Sequence, residues 1–103
     1  MKKSEIDKIF SVGKKSYGNI LKVVYTVGTG QVVISAPIKT FERAVDRNKV
    51  KRLVRQSIKN LDFSGVNLFI IYNIKEIKTL DEIKQDLKKI YEENRNNWFN
   101  GLW

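Results

Sequence analysis

The chain contains no cysteine and no histidine. Without cysteine there is no disulfide framework and no thiolate nucleophile, and without either residue there is no zinc site built on nitrogen and sulfur ligands. A cytoplasmic location is the expectation that follows. Acidic residues are scarce: 11 Asp and Glu stand against 20 Lys and Arg, for a formal charge of +9. Such an excess disfavours self-association and favours polyanions, whether nucleic acid, an anionic membrane face or an acidic protein. Long apolar runs are also missing. The longest, residues 66–72, contains Asn67 and falls far short of the roughly 20 residues needed to span a bilayer. Met1-Lys2-Lys3 meets Glu5 and Asp7 before any apolar stretch develops, so neither a signal peptide nor a membrane association is expected.

What is present suits one small core with an ionic surface. Hydrophobic residues make up 42% of 103 residues and charged residues 30%, which fits a single domain over residues 1–103. Ser4 and Asp7 have the spacing of a capping box, and Ile6, Ile9 and Phe10 recur at helical spacing, predicting a short helix over residues 4–11. Residues 20–27 and 31–35 are rich in β-branched side chains and are separated by Gly28-Thr29-Gly30, which reads as a hairpin. The single proline, Pro37, marks the end of the second strand. Residues 43–61 contain no glycine or proline, and Val50, Leu53, Val54, Ile58 and Leu61 form one stripe at 3.6 residues per turn, predicting a long amphipathic helix. After Ser64-Gly65, residues 67–72 read as a central strand buried on both faces. Leu80, Ile83, Leu87, Ile90 and Tyr91 form a second helical stripe. The predicted order is helix, strands, helix, strand, helix, an α+β arrangement.

The second predicted helix carries the functional signal. Asn48, Lys51, Arg52, Arg55 and Lys59 lie roughly opposite its apolar stripe. Between Lys39 and Asn60 eight basic residues (Lys39, Arg43, Arg47, Lys49, Lys51, Arg52, Arg55, Lys59) face only Glu42 and Asp46, leaving +6 of the total +9 in a fifth of the chain. Arginine offers a planar fork to phosphate and lysine a flexible point charge. A merely solvated face is the plain alternative, but a helix built for solubility interleaves acids at i+4. None occurs between Lys49 and Leu61. The self-repulsion is best relieved by a polyanion.

The run Ala44-Val45-Asp46-Arg47-Asn48-Lys49-Val50-Lys51-Arg52-Leu53-Val54-Arg55-Gln56 resembles the signature helix of the bacterial ribonuclease P protein family. Phe10-x-x-Gly13 resembles the end of that family's first helix, and Val24-Tyr25-Thr26 its strand with an exposed tyrosine. The chain departs from the family's usual Lys-Lys-x-Gly-Asn-Ala-Val at Lys39-Thr40-Phe41-Glu42-Arg43-Ala44-Val45. Its end, from Trp98 to Trp103, has no evident family counterpart. The resemblance implies an α+β fold of helix, three strands, helix, strand, helix, like domain 2 of ribosomal protein S5, with a left-handed βαβ crossover through the signature helix. It also implies a protein subunit of ribonuclease P that binds the catalytic RNA and the 5′ leader of precursor tRNA, as a monomer in a 1:1 ribonucleoprotein. The RNA then removes the leader with Mg2+ that the RNA itself mainly holds. Lys39, Arg43, Arg47, Asn48, Lys49, Lys51, Arg52, Arg55 and Lys59 are the expected catalytic-RNA contacts, and Ile6, Phe10 and Tyr25 the expected leader groove. Ile6 and Phe10 equally suit core packing, and the face of Tyr25 depends on strand register.

Two other signals carry less. Gly13-Lys14-Lys15-Ser16 lacks the spacing of a phosphate-binding loop and reads as a turn. Asp81, Glu82, Asp86, Glu92 and Glu93 share the last helix with lysines, the composition of a solvated face, and no metal site or catalytic residue is expected. A structural ribosomal or ribosome-assembly protein is the rival reading, because the same fold class and charge would serve ribosomal RNA.

Overall fold

Val66–Tyr72 is the most apolar stretch of the chain, and in the computed structural model it forms an inner strand paired on both edges. The structure describes residues 13–59, 61–63 and 65–100, with side chains as far as residue 95. Along the chain come β1 (Lys14–Tyr17), β2 (Leu21–Val27), β3 (Val32–Ser35), α1 (Ala44–Ser57), β4 (Val66–Tyr72) and α2 (Leu80–Asn100). The helix expected over residues 4–11, with Ile6 and Phe10, lies outside the described residues.

The sheet order is β1-β2-β4-β3. β2 runs antiparallel to β1 and β4, whereas β3 is parallel to β4. The parallel pair is joined through α1, the connection that the resemblance implies. The hairpin expected between β2 and β3 does not form, because β4 is inserted between them. Gly28-Thr29-Gly30 instead passes over the start of β4: the Gly28 amide donates to Gly65 O at 3.0 Å and the Gly30 amide to Val66 O at 2.9 Å. Asn67 holds this bridge, its side-chain oxygen accepting from the amides of Thr29 at 3.0 Å and Gln31 at 3.1 Å. A Cβ on Gly28 would fall on the Asn67 carboxamide, so the close approach needs glycine. The most apolar strand takes the centre because only there do both neighbours cover it. The Gly13-Lys14-Lys15-Ser16 run is likewise not a turn: its last three residues lie in the edge strand β1.

The helix-facing side of the sheet carries Leu21, Val23 and Tyr25 of β2 with Val66, Leu68, Ile70 and Tyr72 of β4, all buried in one cluster. Val50 and Val54 of α1 and Ile83, Leu87 and Ile90 of α2 complete it. Each such fully buried side chain contributes about 1.5–3 kcal/mol relative to exposure. β4 alternates fully buried with half-buried residues, so it is sealed on one face and only partly covered on the other. The opposite face holds Val24, buried, in register with Phe69 and Val33.

α1 is shorter than its sequence stripe. It closes at Ser57, whose hydroxyl donates to Leu53 O at 2.8 Å. Ile58 and Leu61 remain against the core through a turn in which the Leu61 amide donates to Ile58 O. The stripe therefore records burial and not helix length. α2 begins with a reciprocal cap: the Thr79 amide donates to Glu82 Oε2 at 3.0 Å, and the Glu82 amide donates to Thr79 Oγ1 at 3.3 Å. Thr-x-x-Glu is the sequence signature of this cap.

Candidate nucleic-acid interface

α1 presses Val50 and Val54 into the core, and this fixes which side chains its outer side offers. Asn48, Lys49, Arg52 and Arg55 are exposed there, with exposed Arg43 just before the helix and exposed Lys59 just after it. Lys51 is half-buried at the edge, and Lys39 is exposed in the loop that leads in. None of these seven cations forms an ion pair among the described residues; the single ion pair there is Lys78 with Glu76, at 2.9 Å. Neighbouring like charges at i+3 and i+4 each cost a few tenths of a kcal/mol in a free helix. The face therefore has cationic donors with no internal acceptors.

Arg47 differs from the other arginines. Its Nη1 donates to Phe41 O at 2.9 Å and to Glu42 O at 2.7 Å, and the residue is half-buried. It folds the lead-in loop back onto the first turn of α1. The amides of Thr40 and Phe41 both donate to Pro37 O at 3.0 Å, and the Phe41 ring is buried with its centroid 5.6 Å from that of Tyr72. The loop that departs from the family pattern thus has its own anchor. Arg47 positions the cationic face through Nη1 alone, and its Nη2 and Nε donors have no partner among the described residues.

Tyr25 is not the exposed tyrosine that the resemblance implies. It is only 3% exposed, on the face packed against α2. Its hydroxyl donates to Asn94 Oδ1 at 2.9 Å, while Asn94 Nδ2 donates to Ser16 Oγ and to Ile90 O. The register of β2 with β4 pairs Tyr25 with Leu68, a core position, and so decides which way the side chain faces. Ile6 and Phe10, the other expected groove residues, lie outside the described residues.

Asp86 belongs by composition with the solvated acids of its helix, yet it is buried. Its carboxylate accepts from the amides of Asn19 at 2.7 Å, Ile20 at 3.1 Å and Leu21 at 2.9 Å, tying α2 to the β1–β2 turn. A Cβ on Gly18 would fall on that carboxylate, which requires glycine there. The signal in the sequence is the position of Asp86 beside Ile83, Leu87 and Ile90 on the apolar stripe. Tyr72 plays a similar part at the other connection, donating to Glu76 O at 2.7 Å and accepting from the Lys78 amide at 2.9 Å. Burial pushes its hydroxyl above the ordinary tyrosine range, partly offset by the Lys78 amide bond. The Glu76 carboxylate holds the Lys78 ammonium above its ordinary value. Among the described residues no group of three or more His, Cys, Asp or Glu could hold a metal ion, and no helix is long and apolar enough to cross a membrane.

The fold and the site together define a small basic α+β domain whose parallel crossover helix offers an unpaired cationic face. The family model for Ribonuclease P matches residues 1–95, and the chain belongs to that family. The ribonuclease P protein component of Porphyromonas gingivalis is 39% identical over 61 residues, covering 53% of this chain and 44% of that protein, with the same values in two strains. The matched stretch thus spans less than half the length of those relatives. A solved structure of the Staphylococcus aureus RNase P protein superposes with a TM-score of 0.80 at 20% identity, covering 92% of this chain and 93% of that one. The RNase P protein from Thermotoga maritima gives a TM-score of 0.75 at 21% identity, covering 86% of this chain and 90% of that one. At these identities the shared property is the fold.

Proposed function

We propose that this chain is the protein subunit of ribonuclease P and promotes removal of the 5′ leader from precursor tRNA. The observation that carries the reading is the outer face of α1 and the turn after it, where Lys49, Arg52, Arg55 and Lys59 are exposed and unpaired among the described residues in a chain of this family. Asn48 adds an amide among these cations, and Lys39, Arg43 and Lys51 extend the charge to either side. This face docks on the catalytic RNA, with phosphates supplying the missing acceptors. Arg47 supports the contact by holding the lead-in loop.

The leader of precursor tRNA is held by Ile6 and Phe10, because aromatic and apolar faces accept unpaired bases without demanding a sequence. Tyr25, the third residue expected in that groove, stays in the core with its hydroxyl on Asn94. Catalysis belongs to the RNA with Mg2+ that the RNA binds, and the protein acts in the cytoplasm as one copy per RNA.

The test is reconstitution of tRNA 5′ processing with a bacterial catalytic RNA at low magnesium. Wild-type protein is expected to restore cleavage, Arg52→Ala/Arg55→Ala to weaken assembly with the RNA, and Phe10→Ala to weaken precursor binding while assembly survives. Protein without RNA is expected to leave precursor tRNA intact. Recovery with ribosomal subunits and not with a separate structured RNA would overturn the reading in favour of a ribosomal protein.

A further inference from the structure

At the end of the sheet away from the β2–β3 bridge, an open cavity of about 690 Å³ lies between the β1–β2 turn, the loop 73–79 and the first half of α2. Its volume falls within the roughly 300–1,000 Å³ of small-ligand sites. No residue of α1 lines it. Ile20, buried in the core, and Ile74, packed against it, supply an apolar floor. Around them stand three lysines and three carboxylates, so the formal charge cancels.

The side chains differ in whether they already have a protein partner. Asp86 is engaged by three backbone amides, Glu82 by its capping partner Thr79, and Glu76 by Lys78. Lys75 and Lys89 have no partner among the described residues, nor do the side-chain amides of Asn19 and Gln85. Each carboxylate of the cavity thus has a protein partner, and the polar side chains left without one are two lysines and two carboxamides. An apolar floor with spare cations at its rim suits a ligand with a flat apolar body and an anionic end.

We infer that this cavity binds a single nucleoside-phosphate unit, its base against Ile20 and Ile74 and its phosphate between Lys75 and Lys89. The amides of Asn19 and Gln85 meet base or sugar polar atoms without fixing the identity of the base. The site is separate from the cationic face of α1 and does not depend on how that face is used. A free mononucleotide and one nucleotide of a single strand present the same chemistry.

The experiment is a titration of the isotopically labelled full chain, followed by amide resonances, with adenosine 5′-monophosphate, adenosine, inorganic phosphate and a short oligoadenylate. Adenosine 5′-monophosphate is expected to shift Asn19, Lys75, Gln85 and Lys89 and to bind at least fivefold more tightly than adenosine or phosphate alone. Lys75→Ala/Lys89→Ala should weaken it at least fivefold, and Arg52→Ala/Arg55→Ala should leave it unchanged. Both lysines are exposed, so the double variant folds. Oligoadenylate binding tenfold tighter at the same resonances supports a strand as the source, and equal affinity supports the free nucleotide. Phosphate or adenosine binding as tightly as the nucleotide, shifts confined to α1, or an unaffected lysine double variant would overturn the inference.

Discussion

The hydroxyl of Tyr25, on β2, donates to the side-chain oxygen of Asn94, on α2, at 2.9 Å, and the same carboxamide reaches Ser16 on the edge strand. One amide thereby links two strands to the last helix. Tyr25→Phe leaves Asn94 Oδ1 without this donor in a buried setting, at a cost of about 1–3 kcal/mol. Urea denaturation measures it. The folded Tyr25→Phe protein is expected to bind precursor tRNA as the wild type does, and a tenfold loss of binding in the folded variant would show that RNA uses the hydroxyl.

Asp86 and Gly18 form a second lock. Asp86→Ala strips three backbone amides of their acceptor and is expected to lower stability by about 2–4 kcal/mol. For a domain near 100 residues that corresponds to a fall in Tm of roughly 4–8 °C per kcal/mol. Gly18→Ala should also destabilise, because the carboxylate it meets is held by those same amides and has no room to move. A Gly18→Ala protein that melts with the wild type would refute the close approach.

Tyr72 predicts a pH dependence with a definite sign. Burial raises its folded-state pKa above the ordinary 10.0, so the unfolded chain releases the phenolic proton first. The resulting stability is fully present below about pH 10 and is lost as pH rises through the folded value. Tyr72→Phe is expected to lose about 1–2 kcal/mol near neutrality, from the two bonds to Glu76 and Lys78. Above pH 10 its stability should fall less steeply than that of the wild type. Parallel denaturation curves across pH 8–11 would contradict the assignment.

The arginines of α1 separate by role. Arg52→Ala/Arg55→Ala removes exposed, unpaired charge and should leave stability within about 0.5 kcal/mol of the wild type. It should reduce the log–log salt slope of RNA binding by about 1.4–1.8, at 0.7–0.9 for each phosphate that is no longer neutralised. Arg47→Ala breaks two bonds to the lead-in loop and should cost stability by about 1–3 kcal/mol, with a smaller change of slope. Denaturation and filter binding over a salt series distinguish the two variants.

The sequence alone determined the broad fold and the cationic face. Periodicity placed both described helices, because burial of an apolar stripe depends on spacing that the chain itself carries, and β-branched or apolar runs placed β2, β3 and β4. Arg52 and Arg55 were legible as one outward group for the same reason: once Val50 and Val54 point inward, helix geometry leaves them no other direction. Proximity in sequence misled where partners are distant. Gly28-Thr29-Gly30 has the composition of a hairpin, yet β4, some 40 residues further on, takes the place beside β2. Tyr25 and Asp86 were decided only by the tertiary structure. A strand residue faces the core or the solvent according to register, and a carboxylate on a helix is solvated or buried according to what docks beside it. Asp86 meets the amides of Asn19, Ile20 and Leu21 across more than 60 residues of chain, a relationship that no local pattern encodes.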